Sequence, residues 1–177
     1  MRYFKKLVGE KVYLSPLNPE DYEIYTKWLN NANITQYLTL HNSMVSLLGE
    51  KEYLENTSKK EFNYAIVKKE NDELMGSIAF DKIDYKNGNA TMGIFIGEDD
   101  NLSKGYGSEA IKLLLEFGFN ELRLHNVDLS VLEGNDRAMK CYKKCGFKEY
   151  GRRHEVLYRN GKYIDLIYME IINEKTS

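Results

Sequence analysis

The sequence predicts an α/β (α+β) fold built on one mixed sheet, and three observations predict it. Strand patterns and helical patterns follow in the order β-α-α-β-β-β-α-β-α-β-β. Two tight turns, Asn87-Gly88-Asn89 and Asn160-Gly161, each join strand patterns as antiparallel hairpins. Between them, a strand, a glycine loop, an apolar helix and an apolar strand follow in turn, which reads as a parallel crossover. The 177 residues suit a single domain, 1–177, because domains cluster around ~100–200 residues.

Each element has a local reason. Residues 11–15 alternate apolar and polar, a short strand. Asn18-Pro19-Glu20-Asp21 opens a helix with a capping Asn, Pro at the first position, then acids at the positive end of the dipole. Tyr22, Tyr25, Trp28 and Leu29 continue it at helical spacing, and Asn30-Asn31-Ala32-Asn33 ends it. A second helix covers residues 46–56, with Leu47, Leu48 and Leu54 apolar. Strands follow at 62–68 and 74–84, and 91–96 returns antiparallel after the turn. Ala110, Ile111, Leu114 and Phe117 mark one face of the next helix. Residues 127–132 form an apolar strand and 136–144 a second crossover helix. Strands at 147–153 and 163–171 close the chain around Asn160-Gly161.

Composition narrows the function. Lys and Arg number 25 against 27 Asp and Glu, a net charge of −2, which argues against a dedicated nucleic-acid binder. No apolar run approaches the ~20 residues that span a bilayer, and the N-terminus is too short and mixed for a signal peptide. Cys141 and Cys145 are four apart and the three histidines are scattered, so no zinc spacing exists and no metal is expected. Two reduced thiols fit a cytoplasmic protein. The Asn-, Lys- and Ile-rich, Ala- and Pro-poor composition suggests a bacterial AT-rich genome.

Two stretches carry chemistry. Ile94-Phe95-Ile96-Gly97 leads to Leu102-Ser103-Lys104-Gly105-Tyr106-Gly107-Ser108-Glu109-Ala110. A glycine loop that opens a helix presents unpaired backbone N–H groups, and the dipole favours an anion there. Gly105 and Gly107 let the backbone approach a phosphate with no Cβ in the way, and a pyrophosphate is the natural guest. The spacing is not that of a P-loop. A dinucleotide fingerprint would place an acid so as to close a parallel strand ~20 residues on, whereas Asp128 begins its strand. Read alone, the loop is equally a turn and a helix start. The second stretch runs from Glu133-Gly134-Asn135 through Ala138, Cys141 and Tyr142 to Cys145-Gly146-Phe147. By spacing alone it is a crossover helix with a capping Asn, a core Tyr and a glycine stop.

Together the two stretches resemble the GNAT superfamily of acetyl-CoA-dependent N-acetyltransferases. The loop is similar to that family's [QR]-x-x-G-x-[GA] motif. The helix matches its N-x-x-A-x-x-x-Y-x-x-x-G-F segment through Asn135, Ala138, Tyr142, Gly146 and Phe147. Leu122-Arg123-Leu124-His125-Asn126-Val127 and Gly161-Lys162-Tyr163-Ile164-Asp165 resemble the branch of RimJ/RimL-type ribosomal-protein and spermidine acetyltransferases. The likeness covers nearly the whole chain. One departure is Leu102, which stands where the motif has Gln or Arg, with Ser103 next to it. A Leu side chain offers a phosphate no hydrogen bond.

The resemblance implies a GNAT fold and an acetyl-CoA co-substrate, with no metal. It implies that the thioester lies in a splay between the strand ending at Ile96 and the strand at 127–132. Backbone groups of Ile94, Phe95 and Ile96 would hold the pantetheine arm and polarise the thioester carbonyl. Leu102, Ser103, Lys104, Gly105, Tyr106, Gly107 and Ser108 would hold the pyrophosphate, and Asn135 would contact the cofactor. Tyr142 maps onto the general acid that reprotonates the departing thiolate, since a phenol of ordinary pKa ~10 is protonated at neutral pH. Glu98 and Asp99 are candidates for a base, a solvated loop being the plainer reading. Arg137, Lys140, Lys143, Lys144, Lys148, Arg152 and Arg153 either meet the cofactor's phosphates or form a solvated face.

The resemblance implies a small-molecule or peptide amine as the acceptor and places it against residues 30–56. Glu50, Glu52 and Glu55 either attract a polyamine or form an exposed helix face; Tyr37, His41 and Tyr53 are pocket candidates. A homodimer is compatible with the family, though no residue pattern decides it. Two other readings stand beside the enzyme: a non-catalytic acyl-CoA-binding or partner-binding module, and a nucleotide-binding protein using the same loop.

Overall fold

The computed structural model describes residues 2–97 and 104–174. The chain forms two compact units, Met1–Ala79 with Ile94–Leu114, and Phe80–Gly93 with Leu115–Ser177.

In the first unit, β1 (Leu7–Val8), β2 (Val12–Pro16) and β3 (Asn63–Lys68) pair antiparallel in that order, with Leu7 opposite Leu14 and Val12 opposite Lys68. The start of β4 (Leu74–Asp84) pairs antiparallel with β3 across a bulge between Ile66 and Val67. The end of β5 (Asn89–Ile96) lies on the other side of β4, where the Gly97 N–H donates to the Met75 carbonyl at 2.9 Å.

The first helix begins as the sequence predicts. The Asn18 side chain accepts from the Glu20 N–H at 3.1 Å, and Pro19 opens a 3-10 turn, Pro19–Asp21, that runs into α1 (Tyr22–Leu29). Asp21 is fully buried and is held by Arg2 and by the Tyr3 hydroxyl at 3.1 Å. The short α2 (Ala32–Thr35) and α3 (Leu47–Thr57) follow. Ser46 caps α3 by accepting from the Gly49 N–H at 3.0 Å. Tyr13, Tyr25, Trp28 and Leu54 form the middle of this unit's core.

In the second unit, the Tyr85-to-Gly88 turn is fastened by Asp84, which accepts from the N–H groups of Lys86 and Asn87 and from the Asn87 side chain. Those bonds hold the Asp84 carboxyl below its ordinary range. The start of β5 pairs parallel with β6 (Asn126–Leu132), Asn89 opposite Asn126 and Thr91 opposite Asp128. β6 continues to Leu132 paired antiparallel with β8 (Lys162–Ile172), Leu132 opposite Leu166. Between β6 and β7 (Lys148–Arg159) runs α5 (Asp136–Lys144). β8 inserts between β6 and β7, so β6 and β7 share a direction with an antiparallel strand between them.

α4 (Tyr106–Asn120) contributes to both units. Ala110, Ile111 and Leu114 of its predicted face are fully buried, and Phe117 is half-buried. Asn160 and Gly161 both take positive φ, 47° and 83°, the conformation a two-residue hairpin of type I′ requires.

Four elements differ from the sequence reading. β1 and α2, of two and four residues, are too short to show a period. β7 runs six residues beyond Arg153. The ladder slips between Arg153 and Leu157, where the Glu155 N–H and the His154 ring bond the Asp165 side chain of β8 instead of its backbone. The α3 pattern holds in part: Leu54 is buried as an apolar residue should be, but Leu47 and Leu48 are exposed, while Glu50 and Thr57 face inward.

Candidate active site

In the first unit the side chains of β5 alternate as a strand must. Phe95 packs against α1, its ring 6.0 Å from Trp28 and 6.4 Å from Tyr25. Ile94 and Ile96 point the other way, toward the start of α4. A Cβ on Gly107 would lie 3.8 Å from Ile94 Cδ1 and 3.9 Å from Ile96 Cγ1. The bare glycine therefore sets the first turn of α4 directly over the end of β5. Gly105 has φ +89°, which favours glycine, and its carbonyl accepts the Glu109 N–H at 3.0 Å. The helix so opened directs the N–H groups of Tyr106 and Gly107 away from its own carbonyls, a site for an anion.

The structure thus brings Ile94, Ile96, Gly105, Tyr106 and Gly107 together on one strand-to-helix junction, with Lys104 and Ser108 beside them. Leu102, Ser103, Glu98 and Asp99 lie outside the described residues. Sequence reasoning passed over Lys11, whose ammonium donates to the Lys104 carbonyl at 3.1 Å.

In the second unit, Asn135 caps α5 by accepting from the Ala138 N–H at 3.2 Å. The helix ends in a Schellman motif. The Gly146 N–H donates to the Lys143 carbonyl and the Phe147 N–H to the Tyr142 carbonyl, with Gly146 at φ +100°. Phe147 is buried and its ring meets Tyr142 edge-on at 6.1 Å. The Gly-Phe pair therefore fixes both the backbone and the ring of Tyr142. Burial pushes the Tyr142 phenol above its ordinary pKa, and the Cys141 and Cys145 sulfurs push the same way. Arg152, one of the basic residues of the second stretch, is engaged by Glu133, Glu149 and Asp165. The parallel ladder of β5 and β6 stops after Thr91 and Asp128, while β6 runs on four residues paired with β8.

The acceptor-side acids separate. Glu52 and Glu55 are exposed, as are Tyr53 and half of Tyr37. His41 bonds the Thr35 hydroxyl at 3.2 Å. Glu50 is only 4 % exposed, and among the described residues its carboxyl has no hydrogen-bond partner. Burial raises its pKa from 4.5 to about 7. The folded chain therefore keeps this proton where the unfolded chain has released it. Stability is expected to fall as pH rises from about 4.5 to 7, by roughly 2–3 kcal/mol from this group. Urea midpoints of the wild type and Glu50→Gln at pH 4.5 and pH 8.5 check it. The Gln variant should match the wild type at the lower pH and exceed it at the higher; parallel profiles would refute it.

Among the described residues no group of three or more His, Cys, Asp or Glu could hold a metal ion, and no helix is long and apolar enough to cross a membrane.

Residues 11–148 match the family described as Acetyltransferase (GNAT) domain. The chain is 24 % identical over 177 residues to the uncharacterized N-acetyltransferase p20 of Bacillus licheniformis, covering 96 % of this chain and 97 % of that one. A spermidine N-acetyltransferase from Vibrio cholerae, solved with CoA and spermine, aligns with a TM-score of 0.81 and 26 % identity over 94 % of this chain and 98 % of that one. A GNAT-family acetyltransferase from Bacillus anthracis aligns with a TM-score of 0.82 at 18 % identity, over 94 % and 97 % of the two chains.

Proposed function

We propose that this chain, which belongs to the GNAT acetyltransferase family, transfers an acetyl group from acetyl-CoA to a primary amine by direct attack on the thioester. The observation that carries this reading is the junction of β5 and α4. There Gly105 and Gly107 leave a cradle without Cβ atoms at a helix N-terminus, directly beside Ile94 and Ile96. Bound acetyl-CoA supplies an activated acetyl group on a thiol leaving group.

The residues of the chain supply the rest. Backbone groups of Ile94, Phe95 and Ile96 bind the pantetheine arm, and one N–H there is placed for the charge that develops on the carbonyl oxygen. The loop from Leu102 and Ser103 through Lys104, Gly105, Tyr106, Gly107 and Ser108 binds the pyrophosphate. Asn135 holds the cofactor as well as the helix start. The Tyr142 phenol keeps its proton at neutral pH and gives it to the sulfur as the C–S bond breaks. The attacking amine loses its own proton to water or to Glu98 or Asp99. The whole chain, 1–177, is proposed to act as one cytoplasmic, bacterial acetyltransferase domain, with a homodimer admitted.

The acceptor is proposed to be a small amine such as a polyamine or amino sugar, or a protein N-terminus. The likeness to a spermidine N-acetyltransferase supports testing polyamines first. Calorimetric titration with acetyl-CoA, followed by thiol release with polyamines, amino sugars, aminoglycosides and ribosomal-protein N-terminal peptides, tests the proposal. Binding with release on one amine class is expected. Binding without release across the panel would favour a non-catalytic acyl-CoA module, and preference for ATP or NAD over CoA would overturn the cofactor assignment.

A further inference from the structure

We infer that Lys11 holds the cofactor's pyrophosphate, as the cation that Leu102 does not provide; this rests on the acetyl-CoA reading above. Lys11 enters β2 in the first unit, 93 residues before the loop it meets. Its backbone is pinned on both sides. The Lys11 N–H donates to Glu109 Oε1 on the first turn of α4 at 2.9 Å, and its carbonyl accepts the Lys69 N–H at 2.8 Å. Gly9 makes room for that carboxylate, since a Cβ there would lie 2.0 Å from Glu109 Oε1. The strand is thereby fastened to the start of the helix.

From this anchor the ammonium reaches the loop. Its Nζ donates to the Lys104 carbonyl at 3.1 Å, and a Cβ on Gly105 would lie 3.7 Å from it. An ammonium has three hydrogens to give. This bond uses one, and no other acceptor for it is found among the described residues. A pyrophosphate on the N–H groups that open α4 would meet this charge at the edge of the glycine loop. A charge-assisted bond there adds to the dipole's attraction. The assignment explains how a loop beginning with Leu, which has no donor, binds a dianion.

Calorimetric titration of CoA into the wild type, Lys11→Met, Lys11→Arg and the charge control Lys59→Met tests it. Lys11→Met should bind roughly tenfold more weakly, as the loss of one charge-assisted bond implies. Arg should recover most of the loss, and Lys59→Met should bind like the wild type. Repeating the titration with dephospho-CoA, which keeps the pyrophosphate and lacks the 3′-phosphate, should give the same ratio between wild type and Lys11→Met. A ratio that vanishes with dephospho-CoA would overturn the pyrophosphate assignment. Equal binding of CoA by Lys11→Met and a binding-competent wild type would overturn the role of Lys11 while leaving the cofactor reading in place. A wild type that binds no CoA would overturn both.

Discussion

Tyr142→Phe is expected to lower acetyl transfer by two to three orders of magnitude while leaving the fold about as stable as before. The magnitude is that of a positioned general acid. The stability expectation comes from the local structure. Tyr142 is held by its ring edge on Phe147 and by its carbonyl, which accepts from Phe147 and Cys145, and none of these contacts involves the hydroxyl. Among the described residues the phenol oxygen has no hydrogen-bond partner. Removing a hydroxyl on which none of these contacts depends should change stability by less than about 1 kcal/mol. CoA affinity should change less than about threefold, because binding is assigned to backbone groups of β5 and α4. Because burial raises the phenol pKa, the wild type should show no loss of turnover from this group up to pH 10. Single-turnover rates, thermal midpoints and CoA titrations of both proteins read the three quantities separately. Turnover within threefold of wild type would remove Tyr142 from the acid role. A large loss accompanied by a matching fall in CoA affinity would recast it as a binding residue.

The parts of this molecule that were legible in the sequence are those whose chemistry is local. Asn135, Gly146 and Phe147 announce a capped helix because a capping side chain, a left-handed glycine and its apolar neighbour act within one turn of each other. Asn160-Gly161 announces a hairpin for the same reason. The bounds of α5 and β4 follow the sequence pattern closely because caps and turns mark their ends. What could not be read depends on distant partners. Glu50 shares the buried face of its helix with Leu54, and only packing against the first unit's core turns Leu47 and Leu48 outward. The second half of β7 was hidden by His154 and Glu155, whose bonds to Asp165 replace ladder bonds across a slip in register. Lys11 reads as an exposed lysine at a strand end until Glu109 and Gly9 bring it to the loop. The motif loop was found by resemblance, since a G-x-G alone did not separate a phosphate cradle from a turn.

Gly76→Ala is expected to destabilise the chain by about 4 kcal/mol, a large fraction of the ~5–15 kcal/mol typical of a folded protein. Two costs combine at this position. Gly76 has φ +152°, a region L side chains rarely adopt, which costs roughly 1–3 kcal/mol. A Cβ there would also lie 2.0 Å from the Phe95 carbonyl oxygen and 3.0 Å from Ile96 Cα. These are backbone atoms, so relief requires strands to move, and overpacking of this kind adds roughly 1–3 kcal/mol or more. Movement of β4 is resisted, because the Tyr25 hydroxyl holds the Gly76 carbonyl at 3.0 Å and Tyr25 is packed on Trp28. The strain therefore falls on Phe95 and Ile96, the strand assigned to the pantetheine arm. Protein that still folds should bind CoA more weakly than its stability alone predicts. Gly93→Ala on β5 is the control: among the described residues nothing lies within 4 Å of a Cβ there, and alanine in a strand costs less backbone entropy than glycine, so it should match the wild type or gain up to about 1 kcal/mol. Urea unfolding of the three proteins, with CoA titration of the folded fraction, decides the matter. If Gly76→Ala stayed within 1 kcal/mol of the wild type and bound CoA equally, the close approach of β4 to the end of β5 would not be what fixes the cofactor strand.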